Sequence, residues 1–332
     1  MSQQWLRKVS LIVAGKDGKG LDLAQFKIRF EVRHKFIYMP GVLEATIFNL
    51  KKETINLIKS YGNPSPNDYD PTGPQIILQA GYAGNYGVIF KGNIKQIMVG
   101  RDGPENSYVH LFAADGDLAY TYDTINKTLA SGWNQKDLYG VCQNSFTKHG
   151  ITAGETPATL KTIPAPRGRV CFGMTRDIMH NVAANNGLEW LFIQNELVSI
   201  PISAYRQGEA IELNMQSGLI NVPMQSETAI TFMCLLNPSI KWGSRIKINN
   251  KLIAQYLYDK HPAGITPAGQ APVMAPAPLS NAADVDGYYK VFYVDHHGDT
   301  RGEEWYTEIT ALAVDSTTPF GASGVMGVPP PP

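Results

Sequence analysis

The most metal-like side chains in the sequence are His296, His297 and Asp299, because imidazole and carboxylate groups are natural ligands of transition metals. Adjacent residues of an extended strand point to opposite faces of a sheet. The two histidines could therefore share an ion only if a turn bent them together. We interpret the group as the polar tip of a hairpin, and we predict no metal site and no cofactor.

Asp115-Gly116-Asp117 places two carboxylates on either side of a glycine, a spacing that could serve calcium binding or acid–base chemistry. A calcium loop needs further acidic residues at alternate positions, and these are missing here. Glycine between two aspartates is also typical of a tight turn. The sequence predicts a turn between a strand and a helix at this point.

Three cysteines, Cys142, Cys171 and Cys234, are widely spaced and form no C-x-x-C pair. We expect three buried thiols rather than disulfides or a zinc site. The sequence also contains no nucleophile elbow, dinucleotide fingerprint or phosphate-binding loop. It therefore predicts no catalytic or cofactor-binding residue and no enzyme activity.

The chain has 332 residues, of which 43% are hydrophobic, enough for two to three domains. Lys plus Arg and Asp plus Glu both total 29, so we expect no stable nucleic-acid binding. No apolar stretch is long enough to span a bilayer and no signal peptide is evident, which predicts a protein assembled in the cytoplasm without membrane insertion. Only 17% of residues are charged. That low fraction is typical of a subunit covered by neighbours, and equally compatible with an ordinary neutral soluble protein.

Periodicity predicts a mainly β (α+β) fold with four segments. Residues 1–116 form a first β-barrel domain of antiparallel strands, as the alternation in Phe26–Val32 indicates, with one helix at Lys51–Ser60. Residues 117–204 form a small α/β insertion. Residues 205–320 form a second β-barrel domain that contains a long Pro/Ala-rich loop at 261–284, and residues 321–332 form an extended Pro/Gly-rich tail.

Within the insertion, a helix is predicted to start at Trp133–Asp137, and a second helix is predicted over Thr175–Asn185 with Thr175 as its cap. A hairpin of Leu188–Ile193 and Leu197–Ile200 follows. In the second barrel, strands Tyr288–Asp295 and Trp305–Val314 are predicted to flank a turn over residues 296–302.

Several phrases follow one another in a fixed order along most of the chain. They are Gly81-Tyr82, Phe90–Ile94, Ala114–Asp117, Gly218–Pro223, Leu235–Pro238 before Gly243, Asp286–Tyr289, and Gly298–Gly302 before Trp305-Tyr306. Together they resemble the baseplate central hub protein of contractile-tailed bacteriophages, a tail-tube-like family related in fold to type VI secretion spike-complex proteins. Asn221 stands where the resemblance implies glycine.

The resemblance implies two tail-tube-like barrels per subunit and a homotrimeric ring that presents six barrels. Such a ring joins the six-fold tail tube to the three-fold central spike and lets the genome pass. The implied partners are the tail tube, central spike, tape-measure and baseplate wedge proteins, in the baseplate of a virion assembled in the bacterial host cytoplasm. Two alternatives stay open: a receptor- or carbohydrate-binding tail protein, and a tail-associated cell-wall hydrolase.

Overall fold

The computed structural model describes residues 6–15, 20–34, 39–62, 73–221, 223–225, 229–249 and 286–313. The predicted loop at 261–284 and the tail at 321–332 lie outside these residues. The chain divides into two compact units. The first comprises Met1–Ile202, Leu236–Ser239 and Asp295–Trp305, and the second comprises Ser203–Leu235, Ile240–Val294 and Tyr306–Pro332. The domain boundaries at residues 117 and 205 stay a prediction.

The main sheet of the first unit is built from antiparallel strands. Its elements are β1 (Arg7–Ala14), β2 (Gly20–Asp22), β3 (Ile28–His34), β4 (Val42–Phe48), α1 (Lys52–Gly62), β5 (Gln75–Tyr82), β6 (Asn85–Asp102) and β7 (Asn106–Ala114). The strands are ordered β3-β4-β7-β6-β5-β1-β2.

Alternating side chains explain why these segments form half-buried strands. Ile28, Phe30 and Val32 of β3 are buried. Their neighbours Leu43 and Ala45 on β4, which pair with Val32 and Phe30, are also buried. The period-2 prediction for this region is confirmed. The predicted helix is present as α1, whose Ile58 is fully buried.

The insertion follows in the same unit. Its elements are α2 (Asp117–Tyr122), β8 (Thr124–Leu129), α3 (Gln135–Phe146), β9 (Thr152–Ala153), β10 (Arg169–Met174), α4 (Thr175–Asn186), β11 (Leu188–Ile193) and β12 (Glu196–Pro201). Strands β8 and β10 form a two-stranded ribbon, and β11, β12 and β9 form a three-stranded sheet. The strands and the two longer helices, α3 and α4, share one apolar core. It includes Leu138, Cys142, Met179, Val182 and Trp190.

The helix ends show where local sequence rules succeed and fail. Asn134 caps α3 in a reciprocal capping box with Asp137, as the predicted start requires. Gly187 ends α4 at φ 63°, the left-handed conformation expected for it. The prediction that Thr175 caps α4 is wrong. Thr175 is the first helical residue, and its hydroxyl donates to Asp123 Oδ2 at 2.5 Å instead.

The second unit contains β13 (Ile211–Leu213), β14 (Met224–Gln225), β15 (Ala229–Leu235), β16 (Arg245–Asn249), most of β17 (Asp286–Asp299) and most of β18 (Trp305–Ala313). The strands are ordered β14-β15-β18-β17, and β16 also pairs with β17. Alternating residues such as Ile230, Phe232, Ile246, Val291 and Ile309 form its core. The predicted final hairpin is present, and its first arm is longer than the sequence suggested.

The mainly β, α+β fold class is confirmed. Within the described ranges, however, no strand pairing closes either set of strands into a barrel. None of the described helices is long and apolar enough to cross a membrane.

Candidate functional site

Asp115 lies at the turn between β7 and α2, as predicted, and is fully buried. Its carboxylate accepts hydrogen bonds from the backbone N–H groups of Gln194 at 2.5 Å and Asn195 at 2.9 Å. Those two residues have φ values of 58° and 62° and form the turn between β11 and β12. Burial raises the pKa of Asp115 to about 7, although both hydrogen bonds and Lys91 lower it. Asp115 thus holds together two turns that lie about 80 residues apart in sequence.

Asp117, on the other side of Gly116, has different partners. Its carboxylate contacts Lys95 Nζ at 2.9 Å and accepts from Thr121 Oγ1 at 3.3 Å. The two carboxylates are therefore engaged separately and do not form the shared pair that acid–base chemistry would use.

The cysteines are buried thiols, as predicted. Cys142 faces the core of the insertion and Cys234 the core of the second unit. Burial raises the pKa of each to about 12, so both remain protonated at neutral pH. A protonated, inaccessible thiol is a poor nucleophile, which argues against a catalytic role.

The expectation that His296 and His297 form a hairpin tip is wrong. Strand β17 continues to Asp299, so both histidines lie within the strand and point to opposite faces. His296 is buried, and burial, with His34 and His297 nearby, lowers its pKa to about 3. His297 Nε2 lies 3.8 Å from Asp295 Oδ2.

The turn after Asp299 belongs to the first unit and is attached there to β3. Asp299 forms ion pairs with Lys27 at 3.7 Å and Arg29 at 3.5 Å. The backbone N–H of Thr300 donates to Ile28 O at 2.9 Å, and its hydroxyl accepts from Ile28 N–H at 3.0 Å. These contacts give the Gly298–Gly302 phrase a structural role in fixing the hairpin to β3.

Arg7 completes this attachment. Its guanidinium donates to the carbonyl oxygens of Gly302 at 2.5 Å and Glu303 at 2.9 Å. It also lies over the Trp305 ring at 5.5 Å, and Trp305 packs edge-on against Phe30. A cation over an aromatic face adds a modest attraction to these hydrogen bonds.

Two further phrases meet their partners through asparagine side chains. Asn85, after the turn that follows Tyr82, donates to Asn237 Oδ1 at 2.9 Å. Asn221, found where the resemblance implies glycine, accepts from Met233 N–H at 2.6 Å. A glycine at position 221 could not accept this bond, so Asn221 adds a local side-chain contact that the glycine implied by the resemblance would lack.

Sequence reasoning missed a buried polar cluster around Asp123. Its carboxylate accepts from Thr175 Oγ1 at 2.5 Å and lies 3.3 Å from His149 Nε2. In a hydrolytic triad the histidine stands between the nucleophile and the acid, whereas here the carboxylate stands between the hydroxyl and the imidazole. This arrangement, with the carboxylate in the middle, indicates a structural link between the end of α2, the start of α4 and the residues after α3. Only spatial proximity reveals it, because the three residues have no characteristic spacing.

Sequence reasoning also missed an apolar surface on the ribbon of β8 and β10. Cys171 points into the core, while its neighbours Val170 and Phe172 are 70% and 79% exposed. Their cross-strand partners on the same face are Thr128 and Asn126. These two exposed side chains leave apolar area in contact with water in the single chain.

No family model and no curated protein sequence matches the chain. Its fold, however, is similar to solved structures. The 43 kDa tail protein of prophage MuSo2 from Shewanella oneidensis is 8% identical with a TM-score of 0.55, and the match covers 94% of this chain and 98% of that one. A tail protein from Neisseria meningitidis MC58 is 10% identical with a TM-score of 0.56, over 93% and 97% of the two chains.

A third similar structure is the E. coli c3393 protein, described as a component of the type VI secretion system with structural similarity to the T4 bacteriophage tail proteins gp27 and gp5. It is 10% identical with a TM-score of 0.51, and the match covers 94% of this chain and 78% of that one. The chain therefore has the fold shared by these phage tail proteins and this secretion component, as its ordered sequence phrases predicted.

Proposed function

We propose that this protein is a structural, non-enzymatic subunit of the baseplate hub of a contractile phage tail. The observation that carries the proposal is the extent of the structural similarity. It covers 94% and 93% of this chain and 98% and 97% of two phage tail proteins. Similarity over nearly the whole of both chains supports a shared architecture rather than one shared module.

In this proposal, residues 1–116 and 205–320 are the two tube-like domains, and three copies of the chain close into a ring. The ring joins the six-fold tail tube to the three-fold central spike and contacts the tape-measure and wedge proteins. The equal numbers of basic and acidic residues, 29 each, suit a ring through which the genome passes without being retained. The loop at 261–284 and the tail at 321–332 are proposed to dock onto partners.

The exposed face of the β8–β10 ribbon supports assembly. Val170 and Phe172 present apolar area to solvent in the single chain, and covering it with a second copy removes that area from water. Both edges of this two-stranded sheet lack a further strand among the described residues, so a neighbour could also pair with them.

Light scattering coupled to size-exclusion chromatography tests the ring. We expect the purified full chain to have three times the chain mass at high concentration, and negative-stain class averages of that species to show three-fold rings. A strictly monomeric species at high concentration would contradict the proposal. So would turnover of a glycan or peptide substrate by the purified chain.

A further inference from the structure

A different cluster of potential metal ligands shares His297 with the one that the sequence suggested. Asp295 and His297 are two positions apart on β17 and therefore share one face of the strand. Strand β3 is the neighbour of β17 and contributes Glu31. One ligand atom from each of these three side chains lies within 4.8 Å of the other two.

We propose that Glu31, Asp295 and His297 form a binding site for a divalent transition-metal ion, with Zn²⁺ as the best fit. The donor set is one imidazole nitrogen and two carboxylate oxygens, and zinc accepts both kinds of ligand. Calcium and magnesium prefer oxygen ligands alone, so the histidine selects against them. Three protein ligands leave a fourth position for water or a partner's side chain.

The spacing fits a site that closes slightly when an ion enters. A triangle with sides of 4.8 Å has its centre about 2.8 Å from each corner, and zinc bonds to nitrogen and oxygen are roughly 2.0–2.2 Å long. Each ligand atom must therefore move inward by less than about 1 Å. Glu31 and His297 have side chains that are 35% and 20% exposed, which leaves them room to adjust around the nearly buried Asp295.

The local charge also favours a cation. Glu31 and Glu44 are direct cross-strand partners, an arrangement that is unfavourable for two like charges. Arg33 lies between them, with Nε 3.2 Å from Glu31 Oε1 and a further contact to Glu44. Arg33 thus contacts two carboxylates, and Asp295 adds a third beside Glu31. A carboxylate has several acceptor positions, so Glu31 can contact Arg33 and still bind an ion.

Such an ion would join two strands that are far apart in sequence. Glu31 and Asp295 belong to the same compact unit, although more than half of the chain separates them. An ion bound by the folded chain and not by the unfolded chain stabilises the fold by mass action. The site goes beyond the proposed hub function, because it concerns the pairing of β3 with β17 within one chain.

Zinc titration of the full chain, after treatment with a chelator and dialysis, tests the proposal. We expect calorimetry to show a site of one zinc per chain and zinc to raise the melting temperature, whereas calcium at the same concentration leaves it unchanged. His297→Gln and Asp295→Asn should each weaken zinc binding at least about tenfold, since even second-shell changes reach that size.

Glu44→Gln is the matched control, because it removes a carboxylate from the same face without removing a proposed ligand. It should keep zinc affinity near that of the wild-type chain. If Asp295→Asn fails to fold, as judged by circular dichroism, the half-buried His297→Gln variant decides alone. Unchanged zinc affinity in His297→Gln, an equal response to calcium, or an equal loss in Glu44→Gln would overturn the proposal. None of these outcomes bears on the trimer.

Discussion

Replacing Asp115 with asparagine should change how the stability of the protein depends on pH. The side chain is fully buried and accepts two backbone hydrogen bonds, from Gln194 and Asn195. Folding raises its pKa from 3.8 to about 7, chiefly because burial disfavours the charged carboxylate. The folded chain therefore binds this proton more tightly than the unfolded chain does.

The direction of the effect follows from this difference. The contribution to stability is complete below about pH 4 and is lost as the pH rises through 7. At about 1.4 kcal/mol per pKa unit, the loss in the wild-type chain approaches about 4 kcal/mol. Asparagine resembles the neutral carboxyl group and does not titrate, so the stability of the Asp115→Asn variant lacks this loss at high pH.

Urea unfolding at pH 5 and pH 8, followed by tryptophan fluorescence to which the buried Trp190 of the insertion core contributes, measures the effect. At pH 5 the Asp115→Asn variant should lie within about 1 kcal/mol of the wild type. Between pH 5 and pH 8 it should gain about 3 kcal/mol relative to the wild type, because part of the wild-type loss has already occurred below pH 5. Asp102→Asn, which removes an exposed carboxylate, controls for the loss of one charge. An equal difference between Asp115→Asn and wild type at both pH values would refute the reasoning.

Asp115→Ala separates the hydrogen bonds from the charge. It leaves two buried backbone N–H groups without their acceptor, at about 1–3 kcal/mol each. We expect a total loss of about 2–6 kcal/mol in the free energy of unfolding near pH 5. A variant as stable as the wild type at that pH would show that the two turns do not depend on Asp115.

Three further predictions concern packing and reactivity. Phe172→Ser should weaken self-association in light scattering without lowering the melting temperature, because the ring is 79% exposed in the single chain; unchanged association would remove the ribbon from the interface. Gly298→Ala should lower the free energy of unfolding by about 1–3 kcal/mol, because a Cβ there overlaps the Phe30 ring. Gly140→Ala is the control: it adds a Cβ in open space on a helix and should not lower the melting temperature. Cys142, with a pKa of about 12, should resist thiol reagents at pH 8 until the chain is unfolded.

Local patterns in the sequence predicted much of the secondary structure. Alternation placed Phe30 in the core of β3, the Asn134 and Asp137 pair began α3, and Gly187 ended α4. These features depend on neighbours a few residues away, which a sequence displays directly. Likeness of ordered turn phrases then predicted the fold shared with phage tail proteins.

Sequence reasoning missed contacts that depend on partners distant in sequence. Nothing near Asp115 in sequence indicates that its oxygens accept from a turn at Gln194 and Asn195. Thr175 has the right type for a helix cap, but Asp123 offers its hydroxyl a buried carboxylate acceptor. A charge-assisted hydrogen bond in the interior is stronger than an exposed cap bond, so tertiary contact overrides the local preference.

The length of β17 decides which histidine meets which partner. A turn beginning at His296 would have left both imidazoles at an exposed tip, and glycines near Thr300 made that interpretation reasonable. Instead Ile28 supplies both a donor and an acceptor to Thr300, so the strand continues to Asp299 before it turns. Alternation then places His296 inside and His297 beside Asp295. A shift of one residue in this register would exchange the two faces, so the neutral, buried His296 and the proposed ion site at His297 depend on the same strand pairing.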